Sequence, residues 1–224
     1  MFTTTHFCKI KLMTVASLST IPREKMKRNE ENNKSPANLK TLIAYGTCFG
    51  ATAGTAEEIM KILDDEGFDV KLSNLKEERI PDISEYNLVV VDSGMEMGHW
   101  RSETEDFLKK FQKNFENKKL TLFISSLKTV EEKEGKTGLF AKIRKVWLED
   151  KILKYYFKPI TVGFFDGILD YNKMSFLTRK FMEVGFKLQL QKNGFKEVES
   201  VVYDLRNWDE IRSWARELAQ RAKE

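Results

Sequence analysis

From Lys40 onward, short apolar runs alternate with segments that carry one apolar helical face. The runs have the length and composition of buried strands, and we predict strands at residues 42–45, 69–75, 88–92, 120–125 and 160–165. A helix that begins near Thr52 has one apolar face, formed by Ala56, Ile59, Met60 and Leu63. Strands that alternate with helices indicate a parallel sheet covered on both faces. The predicted fold class is therefore α/β, a doubly wound five-stranded parallel sheet of order 2-1-3-4-5 with added helical segments.

Capping patterns predict where two later helices begin. Residues 102–105 have the S-x-x-E pattern of a capping box, which opens a helix at this point. The residues of this segment that are expected to face the sheet are Leu108, Phe111 and Phe115. Asn207 is expected to cap the last helix, which has acidic residues in its first turn and basic residues near its end.

Residues 1–39 differ from the rest of the chain because they are polar and interrupted by proline, and we predict a disordered leader there. The folded domain is predicted to span residues 40–224. The leader has seven basic and three acidic residues, so its net charge is +4. The whole chain has 38 basic and 34 acidic residues, also +4, which leaves 31 of each sign for the domain. The positive balance belongs to the leader, and no nucleic-acid binding is expected.

Composition also bears on location and on metals. The chain has 224 residues, 41% of them hydrophobic, and no apolar run approaches the roughly eighteen residues of a membrane-spanning helix. Its two cysteines form neither a CxxC pair nor a disulfide framework, so a reducing, cytoplasmic compartment is expected. Two histidines are too few for a His-rich metal site, and no metal is predicted.

Glycines and hydroxyl residues cluster at residues 46–55, between the first strand and the first helix. The start of a helix has unpaired N–H groups and a partial positive charge, which attract an anion. Gly50 and Ala51 leave room there, and Thr47 and Thr52 supply hydroxyl donors. The cluster has neither the G-K-[ST] of P-loop NTPases nor the G-x-G-x-x-G dinucleotide pattern. Two interpretations stay open, a site for one phosphate and a glycine-containing turn with no ligand.

This loop carries a family resemblance. Residues 45–52, Tyr-Gly-Thr-Cys-Phe-Gly-Ala-Thr, resemble the FMN-phosphate loop of flavodoxins, where a Thr or Ser, a Gly and a second Thr follow the first strand. The quinone-dependent protoporphyrinogen dehydrogenases of flavodoxin fold have a Gly-His-aromatic triplet after the third strand, which here is matched by Gly98, His99 and Trp100. Segments that resemble this subgroup are residues 93–100, 201–203, 207–209 and 214–219. The resemblance runs from about residue 40 to about residue 222 and implies a flavodoxin-like FMN-binding domain.

The resemblance also implies the cofactor site. FMN would lie outside the carboxyl ends of the strands, beside the switch point between the first and third strands. The implied FMN contacts come from three loops: Thr47, Cys48, Phe49, Gly50, Ala51, Thr52, Ser93, Gly94, Met95, Gly98, His99, Trp100, Ser125, Ser126 and Leu127. By analogy, residues 166–167 after the fifth strand also approach the flavin. No catalytic residue is assigned.

Two of these residues have a second interpretation. The Trp100 side chain is either a flat ring stacked on the isoalloxazine or a half-buried anchor of the following helix. The His99 imidazole either makes a hydrogen bond or substrate contact or occupies an ordinary surface position. Nothing in the sequence decides between these alternatives.

Asp92 suggests a rival class, because receiver domains of the same topology carry a phospho-accepting aspartate after the third strand. Such a domain also needs an acidic pair after its first strand to hold Mg²⁺. Tyr45, Gly46 and Thr47 stand at that place, so the signalling-module interpretation is disfavoured.

Two added stretches, residues 129–158 and 170–196, separate this chain from a minimal flavodoxin. Each carries an apolar stripe among basic residues, Leu139, Ile143, Val146 and Trp147 in the first and Met174, Leu177, Phe181, Val184 and Leu188 in the second. Such helices either lie peripherally on an anionic membrane, where a lipid quinone is found, or pack on their own domain or on a second copy.

Three functions follow from the resemblance. The favoured one is an FMN-dependent oxidoreductase that takes hydrogen from a porphyrinogen and passes electrons to a quinone. The second is a flavodoxin-type carrier that moves electrons between protein partners. The third is an interaction protein that has lost FMN, and the retained Thr47, Gly50 and Thr52 argue against it.

Overall fold

The computed structural model describes residues 39–47, 51–96, 99–126, 145–173, 176, 179–180, 190–191, 194, 196–199 and 202–224. The leader predicted at residues 1–39 lies outside these residues except for Leu39. Cys48, Phe49, Gly50, Gly98 and Leu127 are predicted site residues that also lie outside them.

The described residues form a parallel sheet of five main strands. These are β1 (Lys40–Gly46), β2 (Asp69–Asn74), β3 (Leu88–Glu96), β5 (Lys119–Ser126) and β6 (Pro159–Asp166). Their spatial order is β2-β1-β3-β5-β6 and every neighbouring pair is parallel. A two-residue strand, β4 (His99–Trp100), pairs antiparallel with the end of β3. With β4 set aside, this is the predicted order 2-1-3-4-5, and the predicted α/β fold class is confirmed.

Helices cover both faces of the sheet. They are α1 (Ala51–Asp65), α2 (Ser102–Phe111), α3 (Asp150–Tyr155), which follows a π-helical turn at Lys145–Glu149, and α4 (Trp208–Lys223). On one face, α2 and α3 bury Phe107, Leu108 and Leu148 against β1, β3 and β5. On the other face, α1 and α4 bury the predicted apolar stripe of α1 and residues such as Ile211 of α4. The strands are therefore apolar toward both faces, as a doubly covered sheet requires.

The helix starts differ in how they match the prediction. The Asn207 side chain caps α4 by accepting a hydrogen bond from the Glu210 backbone N–H at 3.2 Å, as predicted. The predicted capping box of α2 is wrong, because Arg101 occupies the N-cap position and makes no side-chain capping bond. Ser102 lies inside the helix, where its hydroxyl donates to the Glu103 carboxylate at 3.2 Å. The residues predicted to face the sheet are buried, although Phe115 belongs to a following 3₁₀ turn, Asn114–Asn117.

A small antiparallel sheet was not predicted from the sequence. It contains β7 (Ile168–Asp170), β8 (Glu197–Glu199) and β9 (Val202–Asp204) in the order β7-β9-β8. Tyr171 and Tyr203 are fully buried beside it, with ring centroids 6.2 Å apart and nearly perpendicular planes. The Tyr203 hydroxyl donates to the Glu197 carboxylate at 2.7 Å, which joins β9 to the edge strand β8. Strands of three residues are too short for a periodic signal.

The two added stretches are described only in part. Of the predicted apolar stripes, Leu139, Ile143, Met174, Leu177, Phe181, Val184 and Leu188 lie outside the described residues, as does the Val146 side chain. Trp147 is half-buried and packs against the core beneath α2 and α3. This one side chain therefore packs on its own domain.

Candidate functional site

The carboxyl ends of the parallel strands meet at one edge of the sheet. In the strand registers, Gly46 lies opposite Ser93, Gly94 opposite Ser125, and Ser126 opposite Asp166. The end of β1, the second half of β3 and the end of β5 therefore lie side by side at this edge, together with the segments that follow them. The structure brings together the described parts of the three loops that the sequence predicted.

The first of these segments leads into α1. Thr47 is half-buried, Ala51 is the first helical residue, and Thr52 is only 3% exposed in the first turn. Thr55 is fully buried toward the core. The first turn of α1 has no acidic side chain, so the helix itself supplies no anion to its positive end. The start of α1 can therefore accept an external anion.

Gly46 is required where β1 leaves the sheet. A Cβ atom built at Gly46 would collide with the Thr104 hydroxyl and would lie 3.1 Å from the Arg101 Cβ. The Thr104 hydroxyl is itself fixed, because it donates to the Asp92 carbonyl at 3.3 Å. The entry to the loop after β1 is thus packed tightly against the start of α2.

The second segment is a hairpin formed by β3 and β4. Met95 pairs with Trp100 and Glu96 pairs with His99, so the hairpin extends beyond the sheet edge. At its base, the Ser93 hydroxyl accepts from the Arg101 backbone N–H at 3.0 Å and donates to the Gly94 carbonyl at 3.1 Å. His99 is exposed, and its predicted contact with a cofactor or substrate stays a prediction.

Trp100 lies below the hairpin and is 5% exposed. It packs in the core between the sheet and α2, and its indole N–H donates to the Trp147 carbonyl in the π-helical turn before α3. Carbonyls in such turns are displaced from regular helix bonding and can accept other donors. Trp100 is thus buried and bonded to the turn before α3, whereas the second interpretation had it half-buried as an anchor of the following helix, and its contact with a flavin stays a prediction.

Two buried polar groups lie close to the same edge. The Ser125 hydroxyl and both carboxylate oxygens of Asp92 have no hydrogen-bond partner among the described residues. Asp92 pairs with Phe123 across β3 and β5, so Asp92 and Ser125 are diagonal neighbours on one sheet face. Burial raises the pKa of the Asp92 carboxyl well above its ordinary range, and the nearby Ser93 backbone N–H offsets only part of this shift. Asp92 is therefore neutral well above the pH at which an exposed aspartate ionises.

A fourth segment, residues 204–207 before α4, reaches the same edge and was not predicted as part of the site. The Gly167 backbone N–H donates to the Ser126 carbonyl at 2.8 Å, and the Gly167 carbonyl accepts from the Leu205 N–H at 3.1 Å. Arg206 forms two side-chain hydrogen bonds with Asp204, Nε to Oδ1 at 2.9 Å and Nη2 to Oδ2 at 2.6 Å. Burial alone would raise the pKa of Asp204, but the Arg206 guanidinium holds it below its usual range.

A cavity of about 590 Å³ lies at the opposite edge, at the amino ends of the strands. Lys118 and Lys119 are the cations in its wall, and both ammonium groups bind backbone carbonyls. Lys118 Nζ donates to Ser84 O at 2.9 Å and Tyr86 O at 2.6 Å, and Lys119 Nζ donates to Ala222 O at 2.7 Å. These lysines join neighbouring segments of the fold through hydrogen bonds. We therefore interpret the cavity as a gap left by packing.

The sheet order defines a doubly wound α/β protein whose first helix begins at the carboxyl edge of the sheet. A sequence model of the family described as "Flavodoxin domain" matches residues 42–193. The chain belongs to this flavodoxin domain family.

Comparison with known proteins found a curated relative and several structural neighbours. "Protoporphyrinogen IX dehydrogenase [quinone]" of Escherichia coli strain K12 is 22% identical over 183 residues, which cover 81% of this chain and 95% of the relative. A short-chain flavodoxin associated with a bacterial microcompartment has a TM-score of 0.49 and 15% identity over 82% of this chain and 99% of its own. The Fusobacterium nucleatum flavodoxin bound to flavin mononucleotide has a TM-score of 0.34 and 23% identity over 38% of this chain and 51% of its own.

The family membership supports a flavin-dependent oxidoreductase or electron carrier. In the part of the chain that the structure describes, no helix is long and apolar enough to cross a membrane. Across those same residues, no group of three or more His, Cys, Asp or Glu side chains is placed to hold a metal ion.

The described residues fit a flavin nucleotide. The start of α1 offers N–H groups and the Thr52 hydroxyl to a phosphate. The buried Ser125 hydroxyl lacks a partner at the same edge, and buried hydroxyls are normally hydrogen-bonded. Ser93 and Gly94 bring backbone groups to the edge between these two places.

Proposed function

We propose that residues 40–224 form an FMN-binding domain and that the carboxyl edge of the sheet holds the cofactor. The observation that carries this proposal is the convergence, at one edge, of the α1 start, the β3–β4 hairpin and the unpartnered hydroxyl of Ser125. The proposed FMN contacts are those implied by the resemblance: residues 47–52, 93–95, 98–100 and 125–127. Family membership supports a flavin at this edge.

Side chains and backbone groups at the carboxyl edge would bind the cofactor and determine the charge around it. FMN supplies the capacity to accept and release electrons, whatever the substrate. Thr52 and the N–H groups of the first turn of α1 would bind its phosphate, and backbone groups near Gly94 would hydrogen-bond the ring edge. Burial raises the pKa of the Asp92 carboxyl below the edge, which favours its uncharged form beside a cofactor that gains electrons.

We further propose that the reaction is the oxidation of a porphyrinogen coupled to the reduction of a quinone. The support is the relative named "Protoporphyrinogen IX dehydrogenase [quinone]", which this chain matches over 95% of the relative's length. Each oxidation step would remove two hydrogens from the porphyrinogen, and the quinone would take up two electrons and two protons to become a quinol.

A peripheral membrane contact belongs to this proposal because lipid quinones dissolve in membranes. The end of α3 supports it, since Leu153 is 68% exposed and Tyr156 is 86% exposed. Lys154 and Lys158 lie beside them in the sequence and are also exposed. Apolar side chains flanked by lysines suit an anionic membrane surface.

Anaerobic turnover tests the function. Purified protein with bound flavin is mixed with protoporphyrinogen and a water-soluble quinone, and porphyrin fluorescence is followed. We expect porphyrin formation that requires both the protein and the quinone. Thr52→Val should lower flavin content and turnover together, because it removes a hydroxyl at the α1 start. Thr121→Val, which removes a buried hydroxyl that lies on β5 before Ser125 and lacks a partner among the described residues, is the matched control.

Two results would redirect the proposal. Bound flavin with no porphyrin formation, but rapid electron transfer to a one-electron acceptor protein, would favour the electron carrier. A protein that binds no FMN would contradict both the enzyme and the carrier.

A further inference from the structure

The Arg206 side chain is held rigidly at the carboxyl edge. Asp204 binds it through the two hydrogen bonds described above, and the Trp208 ring lies under the guanidinium at 4.2 Å. The Arg206 side chain is only 10% exposed. A guanidinium fixed on two sides loses little conformational freedom when it binds another group.

The guanidinium lies directly against the beginning of α1. A Cβ atom built at Gly54 would be 2.5 Å from Arg206 Nη1, so a larger residue at this position would displace the guanidinium. Gly54 is the fourth residue of α1 and directly follows the residues whose backbone N–H groups lack helical partners. Arg206 therefore lies beside the turn that the fold offers to an anion.

This placement adds a positive group to a helix start that already favours anions. The start of α1 carries the positive end of the helix dipole, and its first turn has no acidic side chain. Asp204 balances the charge of Arg206 but not the dipole of α1. Further along the same helix pair, Glu58 of α1 binds Arg212 of α4 at 2.6 Å, so a carboxylate of α1 itself pairs with that arginine.

We propose that Arg206 is a positioning residue for the phosphate of the bound flavin nucleotide, supplying a fixed positive charge beside the start of α1. The inference rests on the proposed FMN site. Its ligand class is a phosphomonoester, which has a charge of about −1.5 to −2 at neutral pH and suits a planar guanidinium. The unpartnered Ser125 hydroxyl indicates a ligand at this edge independently of any charge.

The test compares FMN with riboflavin, which has the same ring and no phosphate. Apo-protein is titrated with each flavin, and the dissociation constant is measured from flavin fluorescence at low and high salt. We expect Arg206→Gln to weaken FMN binding about tenfold at low salt and less at high salt. Riboflavin binding should change less than about twofold, because riboflavin lacks the group that Arg206 attracts.

Two further variants keep the test decisive. Arg212→Gln removes an arginine from the same helix pair, further from the α1 start, and should leave both dissociation constants unchanged. If Arg206→Gln fails to fold because Asp204 loses its partner, the double variant Asp204→Asn with Arg206→Gln removes both charges together. The double variant should show the same selective loss of FMN binding.

The outcomes separate this inference from the proposed function. Equal weakening of FMN and riboflavin, or no weakening of FMN, would overturn the role of Arg206 while the flavin site stands. Wild-type protein that binds neither flavin would overturn the flavin site itself.

Discussion

Asp92 is a fully buried carboxyl group, and its two carboxyl oxygens have no hydrogen-bond partner in the described part of the chain. Because its pKa is raised on folding, the folded protein keeps a proton that the unfolded chain releases in the ordinary aspartate range. Stability should therefore fall as pH rises from that range toward the raised pKa, by up to about 1.4 kcal/mol per pH unit. Asp92→Asn should remove this part of the pH dependence, measured by urea unfolding at a series of pH values.

The control for this prediction is Asp69→Asn, which removes an exposed carboxyl group on β2 and makes the same change in net charge. The expected result is a flatter stability profile in the Asp92 variant than in wild type and in the control. Parallel profiles for all three proteins would show that Asp92 ionises in the folded state as it does in the unfolded chain.

At the residue scale, sequence reasoning found the groups that lie next to strand ends. Thr52, Ser93 and Ser125 follow from the rule that parallel strands end at one edge. Arg206 was missed because it lies far along the chain from α1 and comes next to Gly54 only in the folded protein. The raised pKa of Asp92 was missed because it depends on complete burial, which no local pattern reports.

Among the elements, the β3–β4 hairpin is tied to the core by the indole N–H of Trp100. Trp100→Phe keeps an aromatic ring but leaves the Trp147 carbonyl without this donor, and should lower stability by about 1–3 kcal/mol. It should also weaken FMN binding, because the hairpin forms part of the proposed site. Urea unfolding and flavin titration measure the two effects.

Trp214→Phe is the matched control, since its indole N–H donates to the Val162 carbonyl at 3.1 Å from the opposite helical layer. We expect a similar loss of stability in this variant without a change in FMN affinity. If both variants bound FMN as tightly as wild type, the hairpin would have no part in the site.

Elements with a long periodic pattern were predicted well. The five parallel strands, the apolar face of α1 and the Asn207 cap of α4 are confirmed. The capping box of α2 failed because the Arg101 N–H is already bound to Ser93 in the hairpin, so the helix is entered one residue earlier. The hairpin and the small sheet depend on pairings of two or three residues, which leave almost no periodic signal.

At the scale of the whole molecule, the fold exposes two different edges. The carboxyl edge has the α1 start, the hairpin and the unpartnered Ser125 hydroxyl, whereas the amino edge has a cavity whose two lysines bind backbone carbonyls. The strand order alone predicts the carboxyl edge as the ligand site. The substrate is not predictable from the strand order, because one fold carries many functions.

Hydrogen–deuterium exchange with and without saturating FMN tests the central claim most directly. It reports backbone protection at both edges of the sheet in a single experiment. The account predicts slower exchange at residues 46–52, 93–101, 125–127 and 204–207, with no change around Lys118 and Lys119. Protection at the amino edge, or no protection anywhere, would contradict an FMN site at the carboxyl edge.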